Sequence, residues 1–125
     1  MFSIDIQSRT PVWEQLVAEV EQYVLLGILK PEDKLPSVRE LAVTIGVNPN
    51  TITKAYSELN RMGIIVSAGG RGCYVDREVY HALRKKAEDD LPQFQNLVEK
   101  LLLSGISEET LTEIIKKVRD GRKDG

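Results

Sequence analysis

Residues 34 to 65 read KLPSVRELAVTIGVNPNTITKAYSELNRMGII, and two helix starts stand close together in them. Ser37-Val38-Arg39-Glu40 has the form of a capping box, in which the serine hydroxyl accepts from the N–H three residues on and the glutamate returns the bond. The helix it opens is predicted to be short, because Gly46 follows Leu41, Ala42 and Ile45. Asn48 then caps a further helix with Pro49 at its first position. That helix is expected to run to about Met62 and to stop at Gly63. A helix, a tight glycine turn and a second helix make a helix-turn-helix.

Working outward, IIVSAGGRGCYVD at 64–76 gives two short apolar runs, Ile64 to Val66 and Cys73 to Val75, around a Gly-Gly-Arg-Gly tip. They predict a hairpin, and a hairpin directly after a helix-turn-helix is a wing. Upstream, Phe2, Ile4 and Ile6 alternate as in a short strand. Thr10 is expected to cap a first helix with Pro11 at its first position, and Trp13, Leu16, Val17, Val20, Tyr23 and Val24 form its apolar face up to Gly27. GILKPEDKLP reads as a turn-rich connector. Downstream, Leu83, Ala87, Leu91, Phe94, Leu97, Val98, Leu101 and Leu102 form a stripe with helical steps, and Pro92 predicts a kink or a brief break within it. Ser104-Gly105 ends that helix. Ser107 caps a last one, which carries Leu111, Ile114, Ile115 and Val118 on one face and Lys116, Lys117 and Arg119 near its C-terminus, as the helix dipole prefers. DGRKDG at the end is expected to fray.

The expected fold class is therefore mainly α with a small β wing. A winged helix-turn-helix domain occupies residues 1–76, and a C-terminal two-helix region occupies 77–125. Two isolated helices cannot bury the apolar stripes, so a second copy of the chain is the expected cover, the alternative being that the stripe folds back on its own domain. The homodimer face would comprise Leu83, Leu91, Phe94, Leu97, Val98, Leu101, Leu102, Leu111, Ile114, Ile115 and Val118.

The net charge of the 125 residues is −2, which does not by itself advertise a nucleic-acid binder. Its distribution is more telling. Lys34, Arg39, Lys54, Arg61 and Arg71 face only Glu40 and Glu58 between residues 34 and 75, and no acid occurs from Leu41 to Ser57. On a helix that starts at Pro49, Ile52, Ala55, Tyr56 and Leu59 fall on one face. Asn50, Lys54, Ser57 and Arg61 lie opposite, with Thr53 on the flank and Thr51 near the leading edge. This is what the major groove of duplex DNA asks for: asparagine pairs bidentately with adenine, threonine bonds an edge or packs on the thymine methyl, and a carboxylate would face phosphates. The candidate DNA-binding residues are Lys34, Ser37, Arg39, Asn48, Asn50, Thr51, Thr53, Lys54, Ser57, Gly70 and Arg71, with Arg71 at the wing tip placed for a neighbouring minor groove. Taken singly, each feature fits an ordinary cap, turn or solvated charge; their order along the chain does not.

Cys73 is the single cysteine and His81 the single histidine. No nucleophile motif, phosphate loop or metal-ligand spacing accompanies them, so neither an enzyme nor a metal or other cofactor is expected. Cys73 reads as a small buried hydrophobe of a reducing compartment. The absence of a membrane span or a secretory pattern points to the cytoplasm. No residue pattern points to an effector. The competing expectation is a protein-binding adaptor, which would put apolar or acidic residues on the exposed face of the third helix.

The stretch quoted above, followed by GGRGCYV, closely resembles the winged helix-turn-helix domain of the GntR family of bacterial transcription regulators over residues 9–76. LPSVRELA, GVNPNT, the AY-x-x-L spacing and the glycine-rich wing all fall in register. The short helical remainder looks like the YtrA-type subfamily, whose members are often encoded beside ABC transporter genes. The resemblance implies a sequence-specific regulator that binds double-stranded operator DNA, a dimeric repressor of its own operon. It also implies contacts from Arg39, Asn50, Thr51, Thr53 and Gly70 or Arg71. Several branches carry arginine where this chain has Pro49, and some carry it again at Thr53, so base contacts in detail do not transfer.

Overall fold

The computed structural model of the chain describes residues 2–124. Local capping chemistry sets the central helices. Ser37 Oγ accepts from the Glu40 N–H at 3.1 Å and opens α2 (Val38–Ile45). Gly46 closes it in the left-handed region at φ 84°, its N–H bonded to the Ala42 carbonyl at 2.8 Å. Only glycine adopts that conformation without steric cost. Asn48 Oδ1 then accepts from Asn50 N–H at 2.8 Å and opens α3 (Pro49–Arg61). Ile52, Ala55, Tyr56 and Leu59 are its buried residues, and they pack on α1 (Val12–Leu25) and α2.

Tyr56 fastens these elements together, since its hydroxyl donates to the Pro36 carbonyl at 2.6 Å, just ahead of α2. Burial, followed by the nearby Cys73 and Glu40, pushes its phenol above the ordinary tyrosine value of 10.0. A folded pKa above the unfolded one means that the contribution is intact below about pH 10 and is lost as pH rises further. Tyr56→Phe is accordingly expected to cost about 1–2 kcal/mol at neutral pH, because the Pro36 carbonyl loses its partner. The variant should also lack part of the stability loss that the natural chain shows above pH 10. Urea unfolding at pH 7 and at pH 10.5 checks both.

The wing follows as β1 (Ile65–Ser67) and β2 (Cys73–Val75), antiparallel with Ile65 opposite Val75 and Ser67 opposite Cys73. The connector before α2 also takes part. Leu35 N–H bonds the Cys73 carbonyl at 2.9 Å, Val75 N–H bonds the Asp33 carbonyl at 2.8 Å, and Lys34 bridges to Tyr74. The segment read as a turn-rich connector is thus laid along β2, with Glu32 at a positive φ of 72° to make the bend.

The N-terminal strand expected at Phe2 to Ile6 is not formed. Phe2 and Ile4 do pack against the core, with Phe2 stacked on Tyr23 at 5.2 Å between ring centroids, but Ile6 is exposed. The Gln15 side chain takes the backbone groups that a partner strand would need, accepting from Asp5 N–H at 2.9 Å and donating to the Asp5 and Thr10 carbonyls at 2.8 Å. The same bonds displace the expected Thr10 cap, and α1 begins one residue later with Pro11 as its N-cap.

The core draws Leu16, Val20 and Val24 from α1, Leu29 and Leu35 from the connector, Leu41 from α2, Ile52 and Leu59 from α3, and Ile64, Ile65 and Val75 around the wing. Val79 and Leu83 of α4 (Val79–Glu88) complete it. Leu83 is only 7% exposed. It was expected on the dimer stripe and belongs instead to this core, because α4 closes over it before the chain leaves. The first compact unit, Met1–Lys85, therefore extends past the expected boundary at residue 76.

The second unit, Lys86–Gly125, holds the end of α4, then α5 (Leu91–Leu103) and α6 (Glu108–Asp124). The break expected near Pro92 falls at residues 89–90, and Pro92 stands in the first turn of α5, where its missing N–H costs nothing. Three helices rather than two thus follow the wing. Ser107 Oγ accepts from Thr110 N–H at 3.1 Å at the start of α6. The tail expected to fray stays helical through Asp124, and Gly125 lies outside the described residues. Among the described residues none of this unit is buried: Leu91, Phe94, Leu97, Leu102, Ile114, Ile115 and Val118 are exposed, and Val98, Leu101 and Leu111 are half-buried. Leu103 and Ile106, which the stripe did not include, are exposed as well.

Candidate nucleic-acid interface

The burial of Ile52, at 0% exposure, fixes the rotation of α3. Asn50, Thr53, Lys54 and Ser57 are exposed as a result, and Thr51 is half-buried at the flank. The only acid of α3, Glu58, is half-buried a turn beyond this leading face. It is engaged by Arg61, whose Nε donates to Oε2 at 3.1 Å while Nη2 meets Oε1. The ion pair sets a carboxylate beside the Arg61 guanidinium, which stays exposed. Asn60, exposed beside it, is neutral. No exposed apolar or acidic side chain marks the outer face, contrary to what an adaptor would present.

Lys54 keeps its charge in a different way. Its Nζ lies 4.6 Å from the centre of the Trp13 ring, over the aromatic face. Trp13, read from the sequence as part of the core stripe, is half-buried and reaches the edge of the candidate surface. Only the packing of α1 on α3 brings the two together, and no sequence spacing announces it.

Two predicted residues have structural work. Ser37 and Asn48 accept the capping bonds that open α2 and α3. Arg39, in the first turn of α2, is exposed, and among the described residues no hydrogen bond or ion pair holds its guanidinium. Arg39 and Asn48 share a shallow concavity with Ala42, Val43, Gly46, Val47 and Pro49. Val43 is 82% exposed there. Sequence reasoning passed it over, although a valine directly after the buried pair Leu41 and Ala42 must turn outward on a helix.

At the wing tip, residues Gly69–Arg71 form a single tight turn, closed by the Ala68 N–H to the Gly72 carbonyl at 2.8 Å. Tyr74 donates its hydroxyl to the Arg71 carbonyl at 3.1 Å, which steadies the tip and leaves Gly70 and the Arg71 side chain exposed. Gly72 has φ 102°, and a Cβ there would come 3.3 Å from Lys34 Cε. The exposed Lys34 is thereby stitched to the wing by its backbone and by its stem.

Elsewhere the chemistry is sparse. Cys73 is half-buried with its sulfur 3.5 Å from Ser67 Oγ, and His81 is exposed on α4. Among the described residues no group of three or more His, Cys, Asp or Glu side chains could hold a metal ion, and no helix is long and apolar enough to cross a membrane.

Comparison with known proteins gives this surface its context. The model of the bacterial regulatory proteins, gntR family, matches residues 13–75. The HTH-type transcriptional repressor YtrA of Bacillus subtilis is 40% identical over 129 aligned positions, covering 100% of this chain and 97% of its own. The solved structure of YtrA from Sulfolobus acidocaldarius, a GntR-family transcription factor, superposes with a TM-score of 0.58 at 40% identity, over 73% of this chain and 97% of that one. AraR(DBD), crystallised in complex with operator ORX1, superposes with a TM-score of 0.54 at 28% identity, over 59% of this chain and 95% of that one.

Proposed function

We propose, starting from the fact that this chain belongs to the GntR family of bacterial regulatory proteins, that it is a dimeric, sequence-specific repressor that binds operator DNA through α3, Arg39 and the wing. The family is one of transcription regulators, not of enzymes. The observation that carries the reading is the exposed leading face of α3, where Asn50, Thr53, Lys54 and Ser57 stand without a carboxylate while Ile52 anchors the helix from behind. Asparagine and threonine offer hydrogen bonds to base edges, and Lys54, Arg39, Lys34 and Arg71 offer positive charge to the phosphates. AraR(DBD), a related fold, has been seen on operator DNA.

The second copy is inferred from the exposed apolar residues of α5 and α6, a surface that single soluble chains seldom leave to water. The interface runs through Leu91, Phe94, Leu97, Val98, Leu101, Leu102, Leu111, Ile114, Ile115 and Val118, without Leu83. Twofold symmetry would present two α3 helices to half-sites of a near-palindromic operator. By resemblance to YtrA-type regulators, the operator lies ahead of the chain's own operon, one that encodes an ABC transporter, and the protein works in the cytoplasm.

Arg39→Ala is expected to weaken operator binding by about 1–3 kcal/mol if the arginine meets a base, and more uniformly across sequences if it meets phosphate. Anisotropy titrations against operator and scrambled duplexes separate these results, and unchanged affinity removes Arg39 from the interface. In the same titrations affinity should fall steeply with salt as counterions are released. A flat salt profile would argue for a protein partner instead.

A further inference from the structure

We infer that Trp13 is a positioning residue for DNA binding, whose ring holds the Lys54 ammonium at the leading face of α3 ready to meet a phosphate. The inference rests on the DNA-binding reading above. Lys54 is exposed, and a free lysine side chain would have to give up much rotamer freedom on reaching a phosphate. Here part of that ordering is done in advance, because Nζ is already 4.6 Å from the Trp13 ring centre, within the range of a cation–π contact.

The kind of partner matters. Arg61, on the same helix, is restrained by Glu58, a carboxylate that offsets its charge locally. An aromatic face restrains Lys54 while leaving the full positive charge and N–H donors for phosphate oxygens. Trp13 itself is steadied from below, being half-buried against the core at the first turn of α1. A rigid platform on α1 thus aims a cation of α3.

The test is a double-variant cycle read by anisotropy, on a fluorescent duplex selected by the natural chain from a random-sequence pool. Trp13→Leu should weaken binding by about two- to fivefold, the range an exposed cation–π contact supports. Trp13→Phe should restore most of the loss. In a Lys54→Ala background Trp13→Leu should cost nothing further. Because Trp13 is the single tryptophan, its emission in the free protein should also change on Lys54→Ala, a readout that does not depend on Trp13 variants folding. Losses that simply multiply in the double variant, full affinity in Trp13→Leu, or emission indifferent to Lys54→Ala would each overturn the positioning role alone. A pool from which the natural chain selects no duplex would bring down the DNA-binding reading and this inference with it.

Discussion

Thr53→Glu should abolish operator binding while leaving the protein folded. Thr53 is exposed, and its side chain meets no hydrogen-bond partner among the described residues. Glutamate is also a better helix former than threonine at an exposed position, so thermal stability should hold within about 0.5 kcal/mol. On DNA the same carboxylate would face phosphates and base acceptors at close range. Like charges pressed together at an interface cost several kcal/mol, which puts the loss of affinity at about a hundredfold or more. Anisotropy titration alongside a thermal melt reads both quantities. Binding at the natural level would mean that α3 does not enter the duplex.

The second large effect is expected from the C-terminal unit. Phe94 and Leu97 of α5 are 53% and 52% exposed in the single chain, and burial against a second copy would contribute about 1.5–3 kcal/mol for each side chain fully covered. A twofold axis counts each of them twice. Phe94→Asp with Leu97→Asp removes that gain and buries charge in its place. Light scattering should find a monomer, and operator affinity should drop by about 10²–10⁴-fold, since the two DNA-binding units no longer share one binding event. The first unit should stay folded, because neither side chain belongs to its core. A dimer that persists would move the interface elsewhere, with Leu25, Leu26 and Ile28, all exposed near the end of α1, as the next surface to vary.

What could be read from the sequence was whatever local chemistry decides. The caps at Ser37 and Asn48, the left-handed stop at Gly46 and the buried face of α3 depend on residues within a turn or two of one another, and all were legible. So was the hairpin, because Gly69, Gly70 and Gly72 punctuate two apolar runs. The misreadings at the N-terminus, the connector and Leu83 share a cause in distant partners. Gln15 claims the backbone of Asp5 and Thr10 and so prevents the strand that the alternation of Phe2, Ile4 and Ile6 suggested. The connector pairs with β2 across some forty residues, and its bend at Glu32 uses a positive φ with no glycine to signal it. Periodicity placed Leu83 on the right face of α4, but it could not tell the protein's own core from a partner's.

The interface divides along the same line. The exposed positions of α3 followed from its helical period once the start at Asn48 was fixed. Lys54 and Arg61 looked alike as bases on that face, and only the folded packing distinguishes them: one lies over Trp13 and keeps its charge, the other is paired to Glu58. The connector under the wing was silent for the same reason, whereas the outward turn of Val43 was already implied by its place after Leu41 and Ala42.

The measurement that bears most directly on the proposed DNA-reading face of α3 is a nuclease footprint of the natural chain and of Thr53→Glu on the DNA upstream of its own coding region. The expected result is two protected stretches related by twofold symmetry, their centres about one helical turn or a multiple of it apart, present for the natural chain and missing for the variant. No protection by the natural chain at any concentration, or equal protection by both proteins, would contradict it.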